Sequence, residues 1–171
     1  MGMYPGGNII RVTPTLSTDA YAQGDVLFNS VEVPNAVSSR GGVSKLTAMF
    51  VYTENTTDSD IDFIFTQDSV TFGTINATAN VNKDTLKAAN IIGHLHQDSS
   101  VGTTGHIDNA EIKRVLDTGT GDGGSGIATP ILLQAAEGSK SVYISGIQVD
   151  GSTNTYAADD IQLILHVKYL G

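Results

Sequence analysis

Three groups of residues in this chain have types and spacings suited to chemistry. Gly119-Thr120-Gly121-Asp122-Gly123-Gly124 satisfies the dinucleotide pattern G-x-G-x-x-G letter for letter. That pattern cradles a pyrophosphate only when a buried strand precedes it and a helix N-terminus follows. Here Ser125-Gly126-Ile127-Ala128-Thr129-Pro130 follows. Pro130 and the β-type run 131–133 argue against that helix, so 119–126 reads as a Gly-rich surface loop. The second group is His94-Leu95-His96, whose spacing puts two imidazoles on one face of a strand. With His106 or His166 as a third ligand they would form a His₃ metal site. The plainer reading is two histidines at the exposed end of a strand, and no cofactor is expected. If copies of His94 or His96 met at a symmetry axis, the cluster would lose stability on acidification. The third group, Asp58, Asp60 and Asp62, opens like an EF-hand loop. Phe63 stands where that loop needs Gly, and Ser69 where it needs a bidentate Glu. An acidic strand edge that resists strand addition is the preferred reading.

Other chemistry is scarce. The nucleophile and metalloprotease patterns G-x-S-x-G, S-x-x-K and H-E-x-x-H do not occur, nor does a phosphate-binding G-x-x-x-x-G-K-[ST] loop. The chain has no Cys, which removes disulfides, thiolate catalysis and cysteine-built zinc sites. It has no Trp to serve as a sugar platform. Nine Lys+Arg against eighteen Asp+Glu leave a net charge of -9, which argues against nucleic acid as a partner. No apolar run is long enough to span a bilayer, and residues 1–7 lack the basic start and apolar core of a secretory signal. The expectation is a protein made in a cytoplasm, with no membrane partner and no enzymatic activity.

The elements that must position these residues are strands. Ile61, Phe63 and Phe65 alternate with Asp62 and Ile64, and Ile161, Leu163, Leu165, Val167 and Tyr169 alternate with Gln162, His166 and Lys168. Period-two patterning of this kind marks strands with one face in a core. The run Leu46 to Tyr52 is apolar on both faces, so it sits centrally or under a subunit contact. Further candidate strands are 8–16, 25–33, 91–97, 127–136 and 141–149, with 111–117 weaker. Turn clusters separate them, among them Asp98 to Gly105 and Asp150-Gly151-Ser152. Asn82 to Ala89 has a cap and good helix formers, enough for about two turns. The 171 residues therefore predict one all-β domain, a jelly-roll-like antiparallel β-sandwich over 9–171 with one short helix and an N-terminal arm over 1–8.

The run from Val12-Thr13-Pro14-Thr15-Leu16-Ser17-Thr18-Asp19-Ala20-Tyr21 through Ala22-Gln23-Gly24-Asp25-Val26-Leu27-Phe28 resembles the opening of small virion proteins of tailed bacteriophages. The likeness continues at 60–65, at Asp68 to Ala77, at Ser141 to Ile147 and at Thr155-Tyr156. The segment 98–126 is longer and richer in Gly than that group leads one to expect. The resemblance implies a capsid decoration (cement) protein, a homotrimer on the shell exterior whose partners are the major capsid protein and itself. Tyr4, Asn8 and Arg11 are the candidates for capsid contact, and Met49, Val51 and Tyr52 for the subunit interface. A tail- or fibre-associated protein that binds the host is the alternative within this class. Outside it stands a carbohydrate-binding module or a cupin-like metal enzyme using His94 and His96.

Overall fold

The computed structural model describes residues 6–54, 59–99, 104–115, 131–151 and 153–171. The glycine loop 119–126, Tyr4 and Asp58 lie outside the described residues, as does the side chain of His106.

Among the described residues, ten strands form two antiparallel sheets. The larger sheet runs in the order β1 (Gly7–Val12), β10 (Ile161–Leu170), β3 (Val43–Thr53), β7 (Ala110–Val115), β6 (Thr104–Ile107). A further strand, β8 (Ile131–Gln134), pairs with residues 43–46 of β3, and β7 takes residues 49–53 of the same strand. The smaller sheet runs β2 (Val26–Val33), β9 (Val142–Gln148), β4 (Ile61–Thr66), β5 (Ile91–Gln97). Successive strands β1 to β4 alternate between the sheets, and β9 and β10 each sit between an early pair. With β7 and β8 sharing one place, this is jelly-roll order.

The alternation read from the sequence does the packing. Phe63 and Phe65 of β4 and Leu163 and Leu165 of β10 are fully buried between the sheets. Tyr21 and Tyr156 close one end of the core, their rings in edge contact at 5.7 Å. The Tyr156 hydroxyl shares a 2.6 Å hydrogen bond with Ser59, and its pKa is pushed up to about 12 by burial, against the lowering effect of that bond.

The two outer faces differ. After β4 the chain crosses the outside of the smaller sheet, burying Val70 and Phe72 against Val26. Side chains of β2 hold this strap as a strand would. Asn29 donates to the Gly73 carbonyl and accepts from the Phe72 N–H, both at 2.8 Å, and Ser30 does the same for Val70. The strap ends in α1 (Lys83–Ala88), capped by the Asn82 side chain on the Asp84 N–H, as the sequence indicates. No such strap crosses the outside of the larger sheet among the described residues.

Several boundaries move. Gly7 and Asn8, expected in an N-terminal arm over 1–8, already belong to β1, paired with Lys168 and Val167. The hairpin β6–β7 occupies part of the stretch read as turns at 98–105, with Asp108 at φ 51 in the connection. β4 lies between β9 and β5, so Asp62 is on an interior strand and not an acidic edge.

Candidate functional site

The two histidines do share a face, and the fold adds a third member. Asp62 pairs directly with His96 across β4 and β5, and Ile64 with His94. Both imidazoles therefore reach one carboxylate oxygen. His96 Nδ1 lies 2.7 Å and His94 Nε2 3.0 Å from Asp62 Oδ1. Burial raises the Asp62 pKa, but hydrogen bonds and charge from His94 and His96 outweigh it and leave the carboxyl below its ordinary value. The other expected ligand, His166, stands on β10 in the opposite sheet, its ring 5.4 Å from that of Phe50. It cannot complete a site with His94 and His96. Among the described residues no group of three or more His, Asp and Glu is arranged to hold a metal ion. One nitrogen of each imidazole is engaged by Asp62 within one chain. Asp60 is similarly committed, accepting from the Ser99 N–H at 2.7 Å.

This trio is a cross-strand clamp that fixes β5, the edge strand of its sheet. Because the folded pKa of Asp62 is depressed, its contribution is present above the unfolded value of 3.8 and is lost as pH falls through the folded value. With Asp62 and His96 about a third exposed and His94 about half, solvent screening limits the effect to roughly 1 kcal/mol or less. The expected result is that acid unfolding followed by circular dichroism separates the wild type from Asp62→Asn at pH 5 and brings the two together as pH falls through the depressed Asp62 value.

The larger sheet presents a different kind of surface. β3 was expected to offer Met49, Val51 and Tyr52 to a neighbouring subunit. Met49 and Val51 instead face inward, each 1% exposed, opposite Leu165 and Leu163. The cause is a one-residue bulge. Ala48 pairs with His166 and Leu46 with Val167, so Thr47 is extra, and its hydroxyl donates to the His166 carbonyl at 3.0 Å. Lys45 points outward, and strict alternation from it would carry Met49 and Val51 outward too. The bulge reverses the parity, so that Ala48, Phe50 and Tyr52 face out. Of the three expected interface residues only Tyr52 is on the surface.

Arg11, expected at a capsid contact, lies on this same outer face. One row across the sheet reads Arg11, Ile164, Phe50, Arg114, and the next reads Gln162, Tyr52, Ile112. Ile9 is 49% exposed beside His166. Lys168 and Lys45 sit directly opposite each other at the far end. The face is thus an apolar strip flanked by four cations. The strands of this sheet contain one carboxylate, Glu111, which points into the core. Sequence reading missed Phe50, Arg114, Lys45 and Lys168 because their convergence depends on strand order.

Asn8 is exposed on β1, the edge strand of this sheet. Beside the start of β1 a cleft of about 710 Å³ is lined by Gly6, Asn8, Ser38, Lys140 and Tyr169. Comparison of the chain with protein-family models, curated proteins and solved structures finds no match.

Proposed function

We propose that this chain is a non-enzymatic virion structural protein, a decoration protein that docks as a homotrimer on the exterior of a tailed-phage capsid. The observation that carries this reading is the edge strand β1. It lies at the rim of the larger sheet, continues directly from the N-terminal arm, and exposes Asn8 and Arg11. An edge strand joined to an arm is suited to pairing with a strand or loop of another protein, where backbone hydrogen bonds give affinity and neighbouring side chains give selectivity. The resemblance to small phage virion proteins supports the same reading. Many copies on one shell would make individually weak contacts sufficient through avidity. The protein's action is then mechanical: it bridges neighbouring major capsid proteins, so that internal pressure must break more interfaces.

The test is to mix the purified chain with capsids assembled without it and image them. Extra density on the shell exterior is expected, reduced at least tenfold in occupancy by deletion of residues 1–6. Bare shells would overturn the reading.

A further inference from the structure

The charge of this chain is sorted in space. It has eighteen carboxylates and nine Lys+Arg. Four of those nine, Arg11, Lys45, Arg114 and Lys168, flank the apolar strip on the outer face of the larger sheet. Among the described residues none of the four has an ion-pair partner. Lys45 and Lys168 are directly cross-strand, an arrangement that costs stability unless an anion comes between them.

Seven of the eighteen carboxylates gather at one end of the sandwich. Backbone hydrogen bonds from Tyr21 to Asn154, from Glu54 to Asp160 and from Val149 to Asp60 tie the segments of that end together. They bring up Asp19, Glu54, Asp60, Asp98, Asp150 and Asp159, with Asp108 in the neighbouring β6–β7 turn. Segments 13–25, 53–54, 59–60, 97–99, 107–110 and 153–160 contain no Lys or Arg. Ile107, 55% exposed, supplies an apolar contact beside Asp108.

We propose that the outer face of the larger sheet binds the acidic end of a second copy of this chain, head to tail. It rests on the homotrimer of the proposed function, because a threefold ring is built from heterologous contacts between two different patches. A contact of this face with itself would set four cations against four. The size is adequate. Five strands at about 4.8 Å spacing and ten residues at about 3.3 Å span roughly 600 Å², of the order of the ~800 Å² per partner in a stable interface. The cations steer and orient, while Phe50, Tyr52, Ile164 and Ile112 provide the area removed from water.

The test is a charge swap, read by sedimentation equilibrium of the full chain at micromolar concentration in about 50 mM and about 500 mM salt. The first variant is Lys45→Glu with Arg114→Glu; the second is Glu54→Lys with Asp159→Lys. All four residues are at the surface, and circular dichroism confirms folding of each variant. The wild type is expected to self-associate at low salt, and each double variant to lose at least tenfold in association constant. An equimolar mixture of the two variants is expected to recover most of it. A wild type that stays monomeric, or association insensitive to both reversals, would overturn the proposal. So would a loss caused only by the first variant and accompanied by lost binding to an oligo-dT strand, which would make the face a nucleic-acid platform. Bare shells with a successful charge swap would sink the capsid reading alone. Decorated shells with a failed swap would sink this proposal alone.

Discussion

Lys113→Met is expected to destabilise the fold by about 3–5 kcal/mol, because it removes the cation beside a buried carboxylate. Glu111 and Lys113 are only 4% and 5% exposed, and both project inward from β7, where the strand faces β5 across the core. Lys113 Nζ lies 3.2 Å from Glu111 Oε2. They are two apart on one strand, so they point the same way, and each satisfies the charge that the other brings into a low-dielectric interior. Removing the cation alone takes away the positive charge 3.2 Å from a carboxylate that is almost wholly buried. Removing both is different. The double variant Lys113→Met/Glu111→Leu puts apolar volume in place of the pair and is expected to recover most of the loss. For a chain of this length the single variant should lower Tm by roughly 6–20 °C. Thermal unfolding of the two singles and the double closes the cycle. A Lys113→Met protein within 1 kcal/mol of wild type would show that the charge reaches solvent in the folded state.

Gly146→Ala is the second large effect, expected to cost about 1–3 kcal/mol through overpacking. Gly146 lies in the middle of β9, where a glycine ordinarily weakens a strand. Its place is explained by Phe28, which pairs with it across β2 and β9 and lays its ring over the missing side chain. A β-carbon at 146 would come within 3.0 Å of three atoms of that ring. Phe28 is 1% exposed and packs against Phe63 with ring centroids 6.4 Å apart, so it has nowhere to retreat. Phe28→Leu removes the ring and loses core contacts of its own. In the double variant, however, the two losses should fall short of their sum by at least 0.5 kcal/mol, because the clash is gone. Denaturant unfolding of all four proteins measures this. Additive losses would mean that the ring and the β-carbon do not meet.

Much of the clamp at β5 is legible in the sequence, and much of the larger sheet's face is not. His94 and His96 announce themselves, because side chains two apart on a strand point the same way whatever the rest of the chain does. Asp62 also stood out, but as part of an acidic run and not as their partner. Its bond to both imidazoles follows from the register of β4 on β5, a pairing between segments some thirty residues apart. The charged pair inside β7 weakened the signal of that strand. Alternation places Glu111 and Lys113 on one face, and by type that face belongs outside, whereas the fold buries it.

The sequence by itself determined the all-β class, the positions of nearly all the strands and the cap of the short helix α1. These are local properties, decided by side-chain alternation, by Gly and Asn at turns, and by Asn82 ahead of a helical run. Only the tertiary structure decided which way each strand faces and what meets on a face. The extra Thr47 in β3 shows why. One bulged residue, placed by pairing with β10, turns Met49 and Val51 into the core and Phe50 and Tyr52 out of it. The same pairings assemble Arg11, Lys45, Arg114 and Lys168, drawn from four strands far apart in the chain, into one basic face on an acidic protein. Periodicity can be read along a single segment; parity and convergence depend on the partner strand.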